Sequence, residues 1–246
     1  MLSLNPWIIA LILNSFLITI AWILPKKLLT PLGYLNAWVL GVLVWGTLGW
    51  RGYTVVMFYF LVGSAVTKIG MAEKEAAGIA EKRSGMRGPE NVWGSALTAT
   101  ICALMTIFFD SPLQELLILG YVASFATKLS DTSASEVGKA YGKSTFLITT
   151  LKPVPKGTEG AISLEGTVAG MVASIAIAMI AYLLGMINPW GIICCIVAAF
   201  IATNIESLIG ATLQEQWQFL TNEVVNFVNT TIGAIVAIIM AWVWTI

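Results

Sequence analysis

Seven ionisable residues interrupt apolar stretches that are long enough to span a membrane, and their types suit phosphate chemistry. They are Lys68, Lys128, Asp131, Glu136, Glu165, Glu206 and Glu223. A charge inside a membrane is costly and marks a functional site by default. Carboxylates can hold Mg²⁺, which bridges phosphate oxygens, and lysine neutralises phosphate charge. The chain has no histidine, which excludes Ser-His catalysis and His-ligated zinc, whereas phosphoryl transfer needs none.

Helical spacing predicts which of these side chains share a face. Lys128 and Asp131 are three residues apart and can pair on one helix. Asn222 and Asn226 align on the last apolar stretch in the same way. The alternative is that such residues only bond neighbouring helices together, a common role for Ser, Thr and Asn in membranes. That alternative suits Asn229, Thr230 and Ser207 better than the carboxylates Asp131, Glu136 and Glu206.

A polar loop at about 138–162 is the second candidate for phosphate binding. Its glycines and lysines are Gly138, Lys139, Gly142, Lys143, Lys152 and Lys156. Backbone N–H groups of a glycine-rich turn, together with lysines, can cradle phosphates. The spacing is not that of a Walker A loop, because three residues and not four separate the glycines. The alternative is a solvated basic connector. We expect Lys143 and Lys156 to matter most, since each adjoins a glycine.

The elements that carry these residues are predicted to be transmembrane helices. Hydrophobic residues make up 58% of the 246 and charged residues 11%, against about a quarter charged in soluble proteins. Runs of about 20 apolar residues, each able to span the bilayer, occur at about 3–24, 32–50, 53–70, 91–109, 113–137, 163–186, 189–213 and 221–245. The second and third form a hairpin about Arg51-Gly52. The first run lacks preceding basic residues and a cleavage site, which predicts a retained helix.

The basic residues predict the orientation of this bundle of about eight transmembrane helices. One side carries Lys26, Lys27, Lys74, Lys82, Arg83, Arg87, Lys139, Lys143, Lys152 and Lys156, and the other carries Arg51 alone. The positive-inside rule therefore places the long loops at about 71–90 and 138–162 in the cytoplasm, with both termini outside. The ionisable residues lie toward the same end of their helices. We thus predict one polytopic membrane domain, residues 1–246, with an active-site cavity at its cytoplasmic face.

Three blocks of the sequence resemble a known membrane family. They are ATKLSDTSASEVGKAYGKS at 126–144, KGTEGAISLEGTVAG at 156–170 and NEVVNFVNT at 222–230. They are similar to the phytyl phosphate kinase family of tocopherol and phylloquinone biosynthesis in cyanobacteria and plastids. More distantly, the first two blocks resemble motifs of the CTP-using phytol and dolichol kinases. The resemblance implies an enzyme of a cyanobacterial plasma or thylakoid membrane that converts phytyl phosphate to phytyl diphosphate, with CTP as the expected donor.

The resemblance and the residue chemistry together assign roles to the candidate residues. Asp131, Lys128 and Glu136 would be catalytic, and Mg²⁺ would be bound by Asp131 and Glu136 with Glu165 or Glu206 assisting. The nucleotide and phosphate ligands would be Lys68, Lys139, Lys143, Lys152, Lys156, Gly138, Gly142, Asn222 and Asn226. The acceptor is already a phosphate anion, so the reaction requires no catalytic base.

Other functions use the same residue types. A cytidylyltransferase that forms a CDP-lipid would need similar metal and phosphate ligands. An ion-coupled transporter would also bury acids, although its site belongs near the bilayer midplane, and a structural assembly factor would not need so many buried charges. The expected partners are a nucleoside triphosphate, an isoprenoid phosphate and membrane lipids. A homodimer is left open, and the net charge of zero gives no basis for nucleic-acid binding.

Overall fold

The fold is an all-α membrane bundle, as the sequence predicts. The computed structural model describes residues 5–214, 216–217 and 219–245, so residues 3 and 4 of the first predicted span lie outside the described part. The helices are α1 (Pro6–Ile23), α2 (Pro31–Thr67), α3 (Met71–Ala76), α4 (Pro89–Met105), α5 (Leu113–Tyr141), α6 (Leu164–Leu183), α7 (Pro189–Thr212) and α8 (Asn222–Thr245). A 3₁₀ turn (Lys82–Gly85) and two antiparallel two-residue strands, β1 (Phe146–Leu147) and β2 (Ala161–Ile162), complete them.

Helix α2 is a hairpin of two arms, residues 31–48 and 50–67. Gly49 interrupts its helical backbone with a φ of +63°, a conformation that glycine adopts without steric cost. Asn14 on α1 shows that the chain reverses there. Its Oδ1 accepts a 2.9 Å hydrogen bond from the Tyr53 hydroxyl, and it also packs against Gly41. In one straight helix Gly41 and Tyr53 would be about 18 Å apart and could not both contact Asn14. The two spans therefore do form a hairpin, but the predicted position of its turn was wrong: Arg51 and Gly52 are helical, and the chain reverses at Gly49, the residue with the non-helical backbone.

Five described helices are long and apolar enough to cross a membrane: α1, α2, α6, α7 and α8. Because α2 contributes two arms, they supply six crossing segments. Helices α4, with 17 residues, and α5, with 29, complete the bundle. Helix α5 is the central helix: it packs against α2, α4, α6, α7 and α8, and residues 119–131 are continuously buried. This central position explains why its polar residues face protein and not lipid.

Close helix packing positions α5 against α6. A Cβ atom at Gly166 would lie 2.4 Å from the Ala134 carbonyl oxygen, and one at Gly170 would lie 2.9 Å from Ser130 Oγ. Small residues of this kind let membrane helices approach closely. The contact fixes the polar stretch of α5 at the depth where α6 begins.

The basic loops meet at one end of the bundle. Arg87 and residues 28–30 exchange backbone hydrogen bonds, Gly70 packs against Ala140, and Gly157 packs against Ile79. Arg51 instead lies beside Gly185, in the turn between α6 and α7 at the opposite end. This grouping is the one that the charge distribution predicts. The side of the membrane that the basic end faces stays a prediction.

Two predicted loops contain more regular structure than the sequence indicated. The 71–90 connection holds α3 and the 3₁₀ turn. Helix α5 continues to Tyr141, so Gly138 and Lys139 belong to its last turn and not to the loop. The reason is that the predicted span was ended by hydropathy at 137, whereas helical hydrogen bonding continues past the apolar stretch, with the Gly142 N–H donating to Gly138 O.

Candidate active site

A polar cavity of about 860 Å³ opens at the basic end of the bundle. It lies among α5, α6, α7 and α8, is bordered by the two long loops, and is also lined by residues of α2 and α4. The predicted site residues that line it are Lys128, Asp131, Glu136, Gly138, Lys139, Glu206, Asn222 and Asn226. Three helices, α5, α7 and α8, thus bring together eight of the residues that the sequence singled out.

Lys128, Asp131 and Asn226 form the innermost polar group of this cavity. The Lys128 ammonium donates one hydrogen bond of 2.6 Å to Asp131 Oδ2 and another of 2.6 Å to Asn226 Oδ1. The three residues are 7%, 8% and 6% exposed, so their pairing is largely shielded from solvent. The i,i+3 pairing on α5 is the one that helical spacing predicts, and the α8 amide joins it across the helix interface.

Glu206 on α7 faces the same group. It interacts electrostatically with both Asp131 and Lys128. Two carboxyl groups therefore lie near one ammonium, and a bound cation would favour the ionised form of both carboxyl groups together. Asn226 lies four residues into α8 and Glu206 six residues from the end of α7, about 6 and 9 Å from those helix ends.

The residues around Glu206 fit a magnesium ion. Mg²⁺ in phosphate-transfer sites is held by one or two carboxylates together with water and phosphate oxygens. Asp131 and Glu206 supply two carboxylates. Thr203, one turn before Glu206, lines the cavity with a buried hydroxyl that has no hydrogen-bond partner among the described residues. Among all the residues that the structure describes, no group of three or more acidic or thiol side chains forms a preformed metal cluster.

Glu136 lines the cavity but is held by two lysines. The Lys74 ammonium donates to Glu136 Oε2 and also to the Thr67 carbonyl oxygen, the latter at 2.8 Å. Lys139 Nζ lies 3.7 Å from Glu136 Oε1. Lys74 is 1% exposed and Glu136 2%. This pair ties the short helix α3 to α5, so a metal-binding role for Glu136 would compete with a structural one.

The other predicted residues do not line the cavity: Lys68, Gly142, Lys143, Lys152, Lys156 and Glu165. The four lysines among them are exposed, and Lys156 Nζ donates to the Ala140 carbonyl oxygen at 3.4 Å. Gly138 and Gly142 lie close to Ser163 at the start of α6. These glycines therefore provide room for helix packing in this structure, and a phosphate-cradling role for them stays a prediction.

Several cavity residues were not assigned a site role from the sequence: Lys82, Arg83, Arg87, Glu159, Thr203 and Glu223. The first three were counted only for orientation. One signal that points to them is the length of the 71–90 connection, since long connections in compact proteins are often functional. Arg83 also bonds Glu90 at the entrance to α4, and this hydrogen bond lowers the pKa of the Glu90 carboxyl.

Comparisons with known proteins identify relatives along most of the chain. The family model for integral membrane protein DUF92 matches residues 14–234. The uncharacterized membrane protein sll0875 of Synechocystis is 69% identical over 95% of this chain and 90% of its own length. Protein VTE6, chloroplastic, of Arabidopsis thaliana is 47% identical over 86% of this chain and 65% of its own. The uncharacterized membrane protein MJ0933 of Methanocaldococcus jannaschii is 32% identical over 85% and 84%. No solved structure matches significantly.

Proposed function

The chain belongs to the DUF92 family of integral membrane proteins, and we propose that it is a kinase that transfers the γ-phosphoryl group of CTP to phytyl phosphate. The product, phytyl diphosphate, would serve tocopherol and phylloquinone synthesis. The resemblance of residues 126–144, 156–170 and 222–230 to phytyl phosphate kinases supports the substrate, and the similarity to chloroplastic VTE6 agrees with a family that has members in plastids. The observation that carries the reaction class is the Lys128–Asp131–Asn226 group, with Glu206, inside a cavity that opens at the basic end.

The transfer is a phosphate-to-phosphate reaction. An oxygen of phytyl phosphate attacks the γ-phosphorus of CTP, the bond from that phosphorus to the β–γ bridging oxygen breaks, and CDP leaves. The attacking oxygen is already anionic, so the protein's task is positioning and charge stabilisation. Lys128 offers its ammonium to the transferred group, while Asn226 and Asp131 hold that ammonium in place. Mg²⁺, held by Asp131 and Glu206, would neutralise the phosphate oxygens.

The nucleotide would enter from the basic end of the cavity. Lys139 and Lys82 lie in the cavity wall together with Asn222 at the start of α8. Two ammonium groups there suit a triphosphate, whose charge they partly neutralise. The lipid would reach the same cavity from the membrane side, so that donor and acceptor phosphates meet at Lys128.

The enzyme and its closest alternative differ in which phosphate reaches the lipid. The test is purified protein with Mg²⁺, phytyl phosphate and CTP labelled separately at the α- or the γ-phosphate. The kinase predicts label in the lipid from γ-labelled CTP only. Label from the α-position would instead establish a cytidylyltransferase. Absence of label from both, with lipid and nucleotide bound, would refute both enzymes and favour the transporter.

The proposed orientation places the cavity in the cytoplasm. Single-cysteine variants at Lys82 and Lys152, at the basic end, and at Arg51, at the opposite end, test it in sealed cells. A membrane-impermeant thiol reagent is expected to label position 51 and to spare positions 82 and 152. The cysteines of the natural chain, Cys102, Cys194 and Cys195, are buried and so give little background. Strong labelling at 82 or 152 would overturn the orientation.

A further inference from the structure

A second cavity, of about 170 Å³ and mostly apolar, lies between α1, both arms of α2 and α4. Leu17, Leu40, Met57 and Val92 are among its walls. It adjoins the polar cavity, because both are lined by Tyr59, Arg87, Asn91 and Ser95. The apolar cavity thus meets the candidate active site at a junction that contains the positively charged side chain of Arg87.

Arg87 is fixed at this junction by its backbone. Its N–H donates to the Leu28 carbonyl oxygen at 3.0 Å, and its own carbonyl oxygen accepts from the Thr30 N–H at 3.1 Å. The guanidinium Nη1 donates to the Tyr59 hydroxyl at 2.7 Å, and the guanidinium carbon lies 5.2 Å from the centre of that ring. Within the described residues, Arg87 makes no ion pair with a carboxylate. Among those residues its half-buried charge therefore lacks a carboxylate partner and meets only the Tyr59 hydroxyl and the rings of Tyr59 and Phe60.

Glycines on both arms of α2 make room for this arginine. A Cβ atom at Gly63 would lie 2.8 Å from Arg87 Nη2, and a Cβ atom at Gly33 would lie 2.5 Å from the Arg87 carbonyl oxygen. Any larger residue at Gly63 would displace the end of the arginine side chain. The hairpin thus forms a niche whose shape depends on the position of the guanidinium.

We propose that the apolar cavity binds the isoprene unit nearest the phosphate of an isoprenyl monophosphate, whose phosphate oxygens are held by Arg87. The identity of the lipid rests on the proposed function. A guanidinium matches phosphate in both charge and geometry. A cavity of about 150 Å³ holds benzene, which has six carbons, so 170 Å³ accommodates one five-carbon unit of a single chain. From Arg87 the phosphate faces the polar cavity that contains Lys128.

The first test measures dissociation constants of purified variants for phytyl phosphate and, separately, for Mg²⁺-CTP. Arg87→Gln is expected to weaken phytyl phosphate binding by about tenfold or more, since a hydrogen bond to a charged group is lost. Gly63→Ala should weaken it in the same direction by displacing the guanidinium. CTP binding should change by less than about twofold, which is below about 0.4 kcal/mol. An unchanged lipid constant for Arg87→Gln, or a loss confined to CTP, would overturn the proposal.

Gly120→Ala is the matched control for Gly63→Ala. A Cβ atom at Gly120 would also lie 2.8 Å from a flexible side-chain end, Ile238 Cδ1, but it lies between α5 and α8 and lines neither cavity. This variant should bind phytyl phosphate like the natural protein. Equal losses for Gly63→Ala and Gly120→Ala would mean that general packing, and not the arginine niche, controls lipid affinity.

A crosslinking measurement on the unaltered protein does not depend on variant folding. A phytyl phosphate analogue with a diazirine in its first isoprene unit should label peptides that contain Leu40, Met57 or Val92. Excess phytyl phosphate should prevent the labelling and excess dioleoyl phosphatidic acid should not. Equal competition by phosphatidic acid would make this a general phospholipid site and overturn the proposal.

The two proposals fail separately in these measurements. If the protein forms phytyl diphosphate but the crosslinks map to other helices, the kinase stands and the lipid site is refuted. If the crosslinks map to α1, α2 and α4 but no lipid phosphate is labelled from CTP, the lipid site stands and the kinase is refuted.

Discussion

Two buried lysine–carboxylate pairs have their carboxylates on α5, five residues apart at Asp131 and Glu136, and their surroundings differ. Lys128–Asp131 is bonded to the Asn226 amide across the helix interface and lines the open cavity with Glu206 nearby. Lys74–Glu136 joins α3 to α5, and its lysine is also bonded to the backbone at Thr67. The Lys74 side chain is 1% exposed and that of Lys128 is 9%.

The difference separates a group that can meet a ligand from one that holds the fold. Lys74 does not line the cavity, and the protein supplies its bonding partners. Lys128 lines the cavity, where an incoming phosphate can replace a protein partner. Removing one partner of a buried pair leaves an uncompensated charge, which is strongly destabilising. A pair that lines a cavity can recover that loss from water or ligand, so the same kind of substitution should affect activity in one region and stability in the other.

The largest expected effect is that of Asp131→Asn on turnover. The substitution preserves size but removes a carboxylate from the cavity group, and the several kcal/mol that a metal ion contributes to phosphoryl transfer correspond to about a thousandfold. Formation of phytyl diphosphate by purified protein measures it. A single symmetric peak in size-exclusion chromatography serves as the folding control. Rates like those of the natural protein would remove Asp131 from the metal site and erase the contrast between the two pairs.

The sequence predicts the Lys128–Asp131 pair, which lines the cavity, but not the Lys74–Glu136 pair, for a physical reason. Lys128 and Asp131 are three residues apart on one helix, so helical geometry alone brings them together. Lys74 and Glu136 are 62 residues apart in sequence, and no local pattern indicates which lysine of a long loop folds back onto α5. The hairpin and the shared basic end follow from span length and charge, whereas the inward position of Arg87 depends on glycines from two arms of α2.

The next effect is a loss of stability when the Lys74–Glu136 pair is broken. Lys74→Met should lower the free energy of unfolding by about 3 kcal/mol, because Glu136 is left buried without its partner. Chemical denaturation in detergent, followed by the fluorescence of tryptophan, measures this. The control is Lys74→Met combined with Glu136→Leu, which removes both charges and should restore stability to within about 1 kcal/mol. A single variant as stable as the natural protein would show that α3 is not held by this pair.

A smaller effect is expected for the nucleotide and separates lysines inside and outside the cavity. Lys139→Ala should raise the CTP KM by roughly 10- to 150-fold, the range for losing a hydrogen bond to a charged group. Lys143→Ala is the matched comparison, since Lys143 is exposed and does not line the cavity. We expect its CTP KM to change less than that of Lys139→Ala. The sequence instead favoured Lys143, because it adjoins Gly142, and a larger effect there would restore the loop as the nucleotide site.

The smallest effect is expected for Glu223→Gln. Glu223 lines the cavity but lies in the first turn of α8, where a negative side chain is stabilised by the helix dipole. That interaction amounts to about 0.3–1 kcal/mol. If it affects the cavity through the position of α8, turnover or the CTP KM should change by roughly two- to fivefold. Turnover and the CTP KM of Glu223→Gln, measured beside Asp131→Asn in the same preparation, test this ranking. A loss of turnover at Glu223 as large as the loss at Asp131 would place a third carboxylate in the phosphate-binding group. The functional part of the cavity would then reach from the Lys128–Asp131 pair to the start of α8.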